Sequence, residues 1–264
     1  MVVGKVIVVG GSVGGLFAGL LLQRAGWDVT LYERSASGLA GKGAGLVPQQ
    51  EVGSILEEIG RLDVLRSGVV ARERIFLDRN GNVLQTVQTP QSQISWDLLF
   101  EAFRSQFSDT QYKQGYRVLE VSADESSATV RFEDGTSDSA DLVVGADGIG
   151  SVIRQAVDPG SAPRYAGYAA FRGLAPESSI PAPSSDVLFN RFTFYNAHRT
   201  QVLGYLVAGA DGSIDPGHRR YNWVWYRPLT LEQLHYALTS DLGGAPRLLS
   251  ASGRPLSRNT SRTC

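Results

Sequence analysis

The sequence predicts an α/β fold, in which a Rossmann-like domain with a parallel sheet is followed by a second domain on a mainly antiparallel β-sheet. Residues 6–9 are an unbroken run of β-branched residues that leads directly into a glycine-rich turn, as expected for a strand buried on both faces of a parallel sheet. After the turn come apolar residues at helical spacing and then a second strand-like segment. Beyond residue 160, strand-like segments between loops rich in proline and glycine replace this alternation, which indicates an antiparallel sheet.

The length and composition of the chain exclude several classes of protein. With 264 residues and about 150 residues per domain, the chain holds one or two domains. Its 42% hydrophobic and 19% charged residues are typical of a globular protein. The formal net charge of −1 gives no electrostatic reason to expect nucleic acid or a membrane as a partner, and we expect neither.

Cysteine content and hydropathy bear on the cellular location. The only cysteine of the sequence is Cys264, the last residue, which excludes an internal disulfide and a cysteine-based metal site. We therefore predict no bound metal and a cytoplasmic location. Residues 6–22 are mostly apolar, but glycines interrupt them and no cleavage site is evident, so we expect neither a signal peptide nor a spanning helix.

The first βαβ unit follows from the spacing of its apolar residues. Leu16 and Leu20 recur at helical spacing, and Gly26 ends the helix. Residues 28–32 return as a second strand that ends at Glu33. Strand, glycine turn, helix and strand thus occur in the order of a parallel α/β unit.

Further elements of the first domain follow from local patterns. Asn80-Gly81 favours a two-residue hairpin turn, and Ser95 and Ser151 are suitable N-caps for helices. The predicted helices are residues 51–59, 96–107 and 151–157, and the predicted strands are residues 74–78, 83–88, 116–121, 127–132 and 140–144. We interpret the last three strands as a meander inserted in the α/β domain, which is predicted at residues 1–160.

The second domain is predicted at residues 161–242. Thr230 and Gln233 form a capping-box pattern that opens a helix. The predicted strands are residues 165–172, 186–195, 199–207 and 220–227, and the predicted helix is residues 231–241. Residues 243–264 contain arginines and serines but no acidic residue and no periodicity, so we predict a disordered tail.

The glycine-rich turn at residues 10–15 has the chemistry of a dinucleotide site. Gly10 and Gly15 occupy the first and third glycine positions of a G-x-G-x-x-G pattern, in which backbone N–H groups and the positive end of a helix face a pyrophosphate. Ser12 replaces the second glycine, and its hydroxyl can donate to a phosphate. Glu33 ends the second strand, where an acidic residue would bind a ribose. The alternative is a glycine-rich turn without a ligand.

The same turn also matches the G-x-S-x-G nucleophile elbow of hydrolases, with Ser12 as the nucleophile. Its position disfavours this interpretation, because no strand and loop precede it to supply the second oxyanion N–H group. Glu33 would also have no role. The histidines downstream of the turn are His198, His218 and His235.

A second candidate site lies at residues 141–154. A buried strand leads into a glycine-rich turn with one acidic residue, Asp147, and a helix begins near Ser151. Backbone donors at such a helix N-terminus can bind a polar ligand. A plain strand-to-helix turn capped by Ser151 is the alternative.

The segments GGSVGGL, LYER and DLVVGADGIGSVIR together resemble the class A flavin-dependent aromatic hydroxylases, also described as FAD-binding monooxygenases. Smaller features resemble the 2,6-dihydroxypyridine 3-hydroxylase branch, namely Gly43-Ala44-Gly45, Ser95-Trp96-Asp97 and residues 221–227. Many class A relatives have an arginine where Trp96 stands, so the phosphate contact of that arginine is not carried over. The family's later Gly-Asp motif has no counterpart after Arg227, so the chain resembles a C-terminally truncated hydroxylase.

The resemblance implies FAD as the cofactor, bound by a domain of the glutathione-reductase type. It implies that residues 10–15 hold the pyrophosphate, that Glu33 binds the adenosine ribose, that the Val118 backbone lies near adenine, and that residues 147–148 contact the flavin side. The implied cofactor-binding residues are Gly10, Ser12, Val13, Gly14, Gly15, Glu33, Arg34, Ala44, Gly45, Val118, Asp147 and Gly148.

The family also implies a reaction. NADH or NADPH reduces the flavin, O₂ supplies an oxygen atom, and an electron-rich aromatic or N-heteroaromatic small molecule is hydroxylated; a homodimer is compatible with the family. Two alternatives stay open: a flavin and NAD(P)H oxidoreductase without oxygen insertion, and an FAD-binding chain without hydroxylase activity. No residue stands out as a catalytic base, and most aromatic residues of 189–226 are expected in the core.

Overall fold

The fold is seen in a computed structural model that describes residues 3–39 and 45–239. Ala44, the tail predicted at residues 243–264 and the last two residues of the helix predicted at 231–241 lie outside the described residues. Within these ranges, every helix is too short or too polar to cross a membrane.

The described helices are mostly short. They are α1 (Val13–Arg24), α2 (Gln50–Glu58), α3 (Asp63–Arg66), α4 (Trp96–Arg104), α5 (Val152–Val157), α6 (Ser184–Leu188) and α7 (Leu231–Thr239). At α7 the predicted capping box is confirmed, because the Thr230 N–H donates to Gln233 Oε1 at 2.9 Å and the Gln233 N–H donates to Thr230 Oγ1 at 3.2 Å.

Strands make up the larger part of the regular structure. They are β1 (Lys5–Val9), β2 (Asp28–Glu33), β3 (Gly45–Leu46), β4 (Val69–Ala71), β5 (Glu73–Leu77), β6 (Val83–Val87), β7 (Gln91–Ser95), β8 (Tyr112–Gln114), β9 (Val118–Ala123), β10 (Ala128–Phe132), β11 (Ser137–Ala140), β12 (Leu142–Gly145), β13 (Tyr168–Pro176), β14 (Arg191–Ala197), β15 (Thr200–Val207) and β16 (Arg220–Pro228).

The first of two compact units, here called unit 1, contains residues 3–39 and 99–164. Its main sheet has the order β12-β1-β2-β8, and all three strand pairs are parallel. Val6, Ile7 and Val8 at the centre of β1 have no exposed surface. Strands β12 and β2 flank β1 in the sheet, and other residues cover both of its faces. The Rossmann-like parallel sheet predicted from the β-branched run is therefore confirmed.

The meander of unit 1 differs from the prediction in its third strand. Strands β9, β10 and β11 form a separate antiparallel sheet, but the segment predicted as one strand at residues 140–144 is divided. Ala140 ends β11, and the next residue, Asp141, accepts the Lys5 N–H with Oδ2 at 2.7 Å. The chain then enters the parallel sheet as β12 beside β1. Only the polar residue Asp141 separates β11 from β12, and so short an interruption could not indicate a change of sheet.

The second compact unit, unit 2, contains residues 45–98 and 165–239. Its largest sheet has the order β13-β16-β15-β14-β5-β6, and its pairs are antiparallel except for the parallel pair of β5 and β14. The predicted second, mainly antiparallel sheet is confirmed. From the sequence we predicted two contiguous domains that meet at residue 160. In the structure, residues 45–98 belong to unit 2, because β5 pairs with β14 and so joins the sheet of that unit.

Candidate functional site

The two glycine-rich turns lie against each other in unit 1. The Gly10 N–H donates to the Tyr32 carbonyl at 2.8 Å, and the Ala146 N–H donates to the Val9 carbonyl at 2.7 Å. Gly10 has a φ of +109°, and a Cβ there would stand 2.3 Å from the Ala146 carbonyl oxygen. Glycine is therefore required where the turn after β1 meets the turn after β12.

The first turn ends at the N-terminus of α1. Ser12 is the N-cap, and its exposed hydroxyl makes no capping hydrogen bond, while Val13 opens the helix. A Cβ on Gly15 would stand 1.8 Å from the Gly10 carbonyl oxygen, whereas a Cβ on Gly14 would meet nothing within 4 Å. Gly15 thus allows the helix to pack on the turn, and Gly14 faces open space beside N–H groups that lack intrahelical partners.

Glu33 is nearly enclosed at the end of β2, with 6% of its surface exposed. Its Oε2 accepts the Gly11 N–H at 2.9 Å and its Oε1 accepts the Ser35 N–H at 2.8 Å. The Tyr112 hydroxyl donates to the Gly11 carbonyl at 2.8 Å, and burial raises the pKa of that hydroxyl, with the Glu33 charge adding to the effect. Glu33 therefore fixes the glycine turn, and each carboxylate oxygen keeps a further lone pair.

The second turn places Asp147 beside α5. Its Oδ2 accepts the Val152 N–H at 2.7 Å, whereas its Oδ1 is buried and has no hydrogen-bond partner among the described residues. Gly148 has a φ of +79°, and Ser151 caps α5 by accepting the Arg154 N–H at 2.9 Å. The predicted Ser151 cap is confirmed. A plain capped turn, however, does not explain why the Oδ1 atom of Asp147 is buried without a hydrogen-bond partner.

A cleft of about 510 Å³ brings the two predicted motifs together. Its lining residues are Gly14, Ala18, Val144, Gly145, Ala146, Asp147, Gly148, Ser151 and Arg154. The sequence motif contained Arg154, but sequence reasoning did not assign it to the site. Its Nη2 donates to the Ile149 carbonyl at 2.8 Å, which anchors a positive charge at the cleft.

Two further residues expected to bind cofactor also lie in unit 1. Arg34 is exposed directly after β2. Val118 is 7% exposed and packs in a core cluster with Phe132, so its side chain serves the core and only its backbone could serve a ligand, as predicted. Neither position joins the lining of the cleft.

Gly45 belongs to unit 2, where it pairs with Ser95 between β3 and β7. A Cβ on Gly45 would stand 2.4 Å from Val207 Cγ1, so its glycine is explained by packing on β15. Ala44, predicted beside it, lies outside the described residues. The Ser95-Trp96-Asp97 motif is held by Arg220, which donates to Ser95 Oγ at 3.2 Å and to Asp97 Oδ2 at 3.3 Å.

No cluster of three metal-ligating side chains occurs in the described parts of the chain. The histidines considered as partners of Ser12 are exposed in unit 2, at His198, His218 and His235. The chemistry of the site in unit 1 is therefore that of backbone N–H donors at a helix N-terminus, together with the buried carboxylate of Glu33 and the buried Oδ1 atom of the half-buried Asp147. Such a set suits a ligand that combines a diphosphate with hydroxyl groups.

Comparisons with known proteins give a consistent result. A family model described as FAD binding domain-like matches residues 165–254. The chain is 32% identical over 224 residues to 2,6-dihydroxypyridine 3-monooxygenase of Paenarthrobacter nicotinovorans, covering 84% of this chain and 55% of the relative. It is 31% identical over 217 residues to 3-amino-4-hydroxybenzoate 2-monooxygenase of Streptomyces cremeus, covering 78% of this chain and 54% of the relative.

A solved structure agrees with these relatives. The structure of 2,6-dihydroxypyridine-3-hydroxylase from Arthrobacter nicotinovorans matches with a TM-score of 0.81 and 30% sequence identity, over 92% of this chain and 61% of that chain. The chain spans about half the length of the curated relatives it matches.

Proposed function

The chain belongs to the FAD-dependent monooxygenases, and from this premise we propose that it binds FAD through unit 1 and hydroxylates a small aromatic or N-heteroaromatic ring. The observation that carries the proposal is the meeting of the two glycine-rich turns around the unpartnered Oδ1 of Asp147. A glycine-rich turn alone is weak support for a dinucleotide. A second turn that adds a buried acceptor at the same cleft is much more specific.

The residues of unit 1 fit the parts of FAD. The N-terminus of α1 supplies N–H donors for the diphosphate, with Gly14 leaving room and the Ser12 hydroxyl free to donate. Glu33 has lone pairs left to accept ribose hydroxyls. The buried Oδ1 of Asp147 can accept from a cofactor hydroxyl, which would remove the cost of leaving it unpaired.

The chemistry of the cofactor determines what the protein itself must do. When bound, the flavin would take reducing equivalents from NADH or NADPH and use O₂ to oxygenate the ring, which side chains cannot do unaided. The protein's task is then to orient the ring and to exclude water. We assign the ring to unit 2, because strands β13 to β16 are rich in aromatic side chains, and we assign no catalytic base.

Purified protein tests the proposal and separates its alternatives. Bound flavin, NAD(P)H oxidation stimulated by a ring substrate, and a product labelled from ¹⁸O₂ support the monooxygenase. Oxidation without labelled product supports an oxidoreductase without oxygen insertion, and bound flavin without turnover supports an FAD-binding chain without hydroxylase activity. A homodimer and a cytoplasmic location stay predictions, which size-exclusion chromatography and cell fractionation test.

A further inference from the structure

Gly11 stands at a position of the first turn where the G-x-G-x-x-G pattern requires no glycine. The structure accounts for it through Tyr112, which is 2% exposed. A Cβ on Gly11 would stand 2.3 Å from the Tyr112 hydroxyl oxygen, and that hydroxyl donates to the Gly11 carbonyl. Gly11 therefore leaves room for a buried tyrosine that holds its carbonyl.

The bond from Tyr112 determines which way the peptide group between Gly11 and Ser12 faces. The carbonyl and the N–H of a planar trans peptide point in opposite directions. A carbonyl held by Tyr112 thus turns the Ser12 N–H away from the buried side of the turn. Ser12 is exposed, and its N–H donates to no residue in the part of the chain that the structure describes. This donor is therefore presented at the N-terminus of α1, beside the diphosphate donors.

Arg104 ends α4 and lies over the Tyr112 ring, with its guanidinium carbon 4.3 Å from the ring centroid. Its Nη1 donates to the Phe107 carbonyl and its Nη2 donates to Asp109 Oδ1, both at 2.6 Å. The backbone bond to Phe107 ties the guanidinium to the segment between α4 and β8. Arg104 is thus fixed as a cation on the face of the ring.

The charge of Arg104 strengthens the hydrogen bond that Tyr112 donates. Burial, aided by the Glu33 charge, raises the pKa of Tyr112, whereas the Arg104 charge opposes this rise. The hydroxyl therefore keeps its proton, while the cation on the ring makes it a better donor. Because successive hydrogen bonds polarise one another, a stronger bond to the Gly11 carbonyl also makes the Ser12 N–H a better donor.

We propose that Tyr112 and Arg104 are positioning residues of the cofactor site. Tyr112 holds the Gly11–Ser12 peptide with its N–H toward the diphosphate, and Arg104 acts through the Tyr112 ring. Without the Tyr112 bond, a peptide next to a glycine rotates at little steric cost, and the Ser12 N–H loses its direction. The inference rests on the proposed function, because the diphosphate is that of FAD.

Titration with FAD and riboflavin tests the inference, because only FAD carries the diphosphate. Tyr112→Phe should lower FAD affinity about fourfold and leave riboflavin affinity unchanged, whereas a purely structural role would weaken both flavins. Arg104→Met keeps an unbranched side chain over the ring without the charge, and it should lower FAD affinity about threefold. If Arg104 acts through the ring, the double variant should lose about fourfold, as Tyr112→Phe does alone.

Asp109→Asn is the matched control. The Asp109 side chain is 97% exposed, and its substitution removes the ion pair while the guanidinium keeps its bond to the Phe107 carbonyl. FAD affinity should therefore be unchanged. An equal loss in Asp109→Asn and Arg104→Met would overturn the inference. An additive loss of about twelvefold in the double variant would also overturn it, because Arg104 would then act as a distant charge.

The amide resonance of Ser12 reports on the peptide without any flavin. In ¹H–¹⁵N spectra of flavin-free protein, the Ser12 amide proton should move upfield in Tyr112→Phe and by a smaller amount in Arg104→Met, since each change weakens the bond to the Gly11 carbonyl. An unchanged Ser12 resonance in Tyr112→Phe would overturn the inference.

The two measurements separate this inference from the proposed function. Upfield shifts in a chain that does not bind FAD would support the orientation of the peptide by Tyr112 and refute the proposed function. Equal FAD affinities of the natural chain and Tyr112→Phe would refute the positioning role and leave FAD binding intact.

Discussion

Gly10 and Ala146 are in such close contact that a single added carbon on Gly10 would stand 2.3 Å from the Ala146 carbonyl oxygen. The contact joins two turns that lie far apart in the sequence. It places the N-terminus of α1 beside Asp147, so the diphosphate donors and the buried acceptor belong to one site. The candidate cofactor site thus depends on backbone packing as much as on its polar side chains.

Gly14 and Gly15 are neighbours with different roles, and alanine should separate them. In Gly15→Ala the Cβ would stand 1.8 Å from the Gly10 carbonyl oxygen, so we expect a loss of about 3 kcal/mol of stability. In Gly14→Ala the Cβ meets no protein atom within 4 Å, so stability should rise by up to about 1 kcal/mol, while FAD affinity should fall about tenfold, since the methyl group occupies ligand space. Urea unfolding and flavin fluorescence measure the two effects. A Gly14→Ala protein with full FAD affinity would contradict the assignment.

Glu33→Gln should weaken FAD binding beyond any effect on folding. The amide cannot accept both backbone N–H groups and also a ribose hydroxyl, so we expect affinity to fall about tenfold, equivalent to about 1.4 kcal/mol. Tyr112→Phe is the control, because it removes the hydrogen bond to the Gly11 carbonyl in the same turn and costs about 1 kcal/mol of stability. If both variants lose FAD equally, Glu33 acts only through the shape of the turn.

Asp147→Ala tests the buried acceptor. The variant removes the cap on the Val152 N–H, which costs about 1 kcal/mol, and it should also lower FAD affinity at least tenfold. Asp134→Ala removes a comparable acceptor from an exposed turn, where Oδ1 accepts the Thr136 N–H at 2.9 Å, and FAD affinity should not change. Equal affinities of the two variants would exclude a cofactor contact at Asp147.

Unit 2 contains a buried ion pair that should make its stability depend on pH. Glu177 and Arg219 have side chains 5% and 8% exposed. Hydrogen bonds from Arg219, aided by the Gly217 N–H, hold the pKa of Glu177 below its usual value, although burial opposes this. A lowered folded pKa stabilises the protein above the unfolded value of about 4.3, and this stabilisation is lost as the pH falls through the folded value.

Glu177→Gln should therefore cost about 3 kcal/mol at pH 7 and less at pH 3, below the unfolded pKa of the carboxyl, as measured by urea unfolding. Glu120→Gln breaks an exposed pair with Arg131, in which the side chains are 60% and 52% exposed, and should cost less than about 1 kcal/mol. The same loss at both pH values in Glu177→Gln would contradict a charge effect.

The sequence was informative where one local pattern determines one element. The β-branched run before Gly10 predicted β1, and Asn80-Gly81 predicted the hairpin of β5 and β6. The two-residue turn expected there was wrong, because only Gly81 of the pair has a positive φ, at +85°, and the Asp78 N–H donates to the Asn82 carbonyl at 2.9 Å across a longer loop. The two glycine turns were also identified from the sequence. Their contact was not, because nothing in residues 10–15 specifies which distant turn they pack against.

What the sequence could not provide depends on long-range pairing. The parallel pair of Arg191 with Glu73 brings residues 45–98 into unit 2, although these residues lie between two segments of unit 1. The contact of the Tyr112 hydroxyl with Gly11 is equally non-local. A tyrosine in a short strand gave no signal of it, except that a buried tyrosine usually finds a partner for its hydroxyl.

Comparison of FAD with riboflavin tests the central claim most directly, because the two share the isoalloxazine ring and riboflavin lacks the diphosphate and adenosine. Titration of the purified chain, followed by flavin fluorescence, should give FAD an affinity at least about a hundredfold higher, equivalent to about 2.7 kcal/mol. Equal affinities, or no association with FAD, would contradict a diphosphate site at the N-terminus of α1.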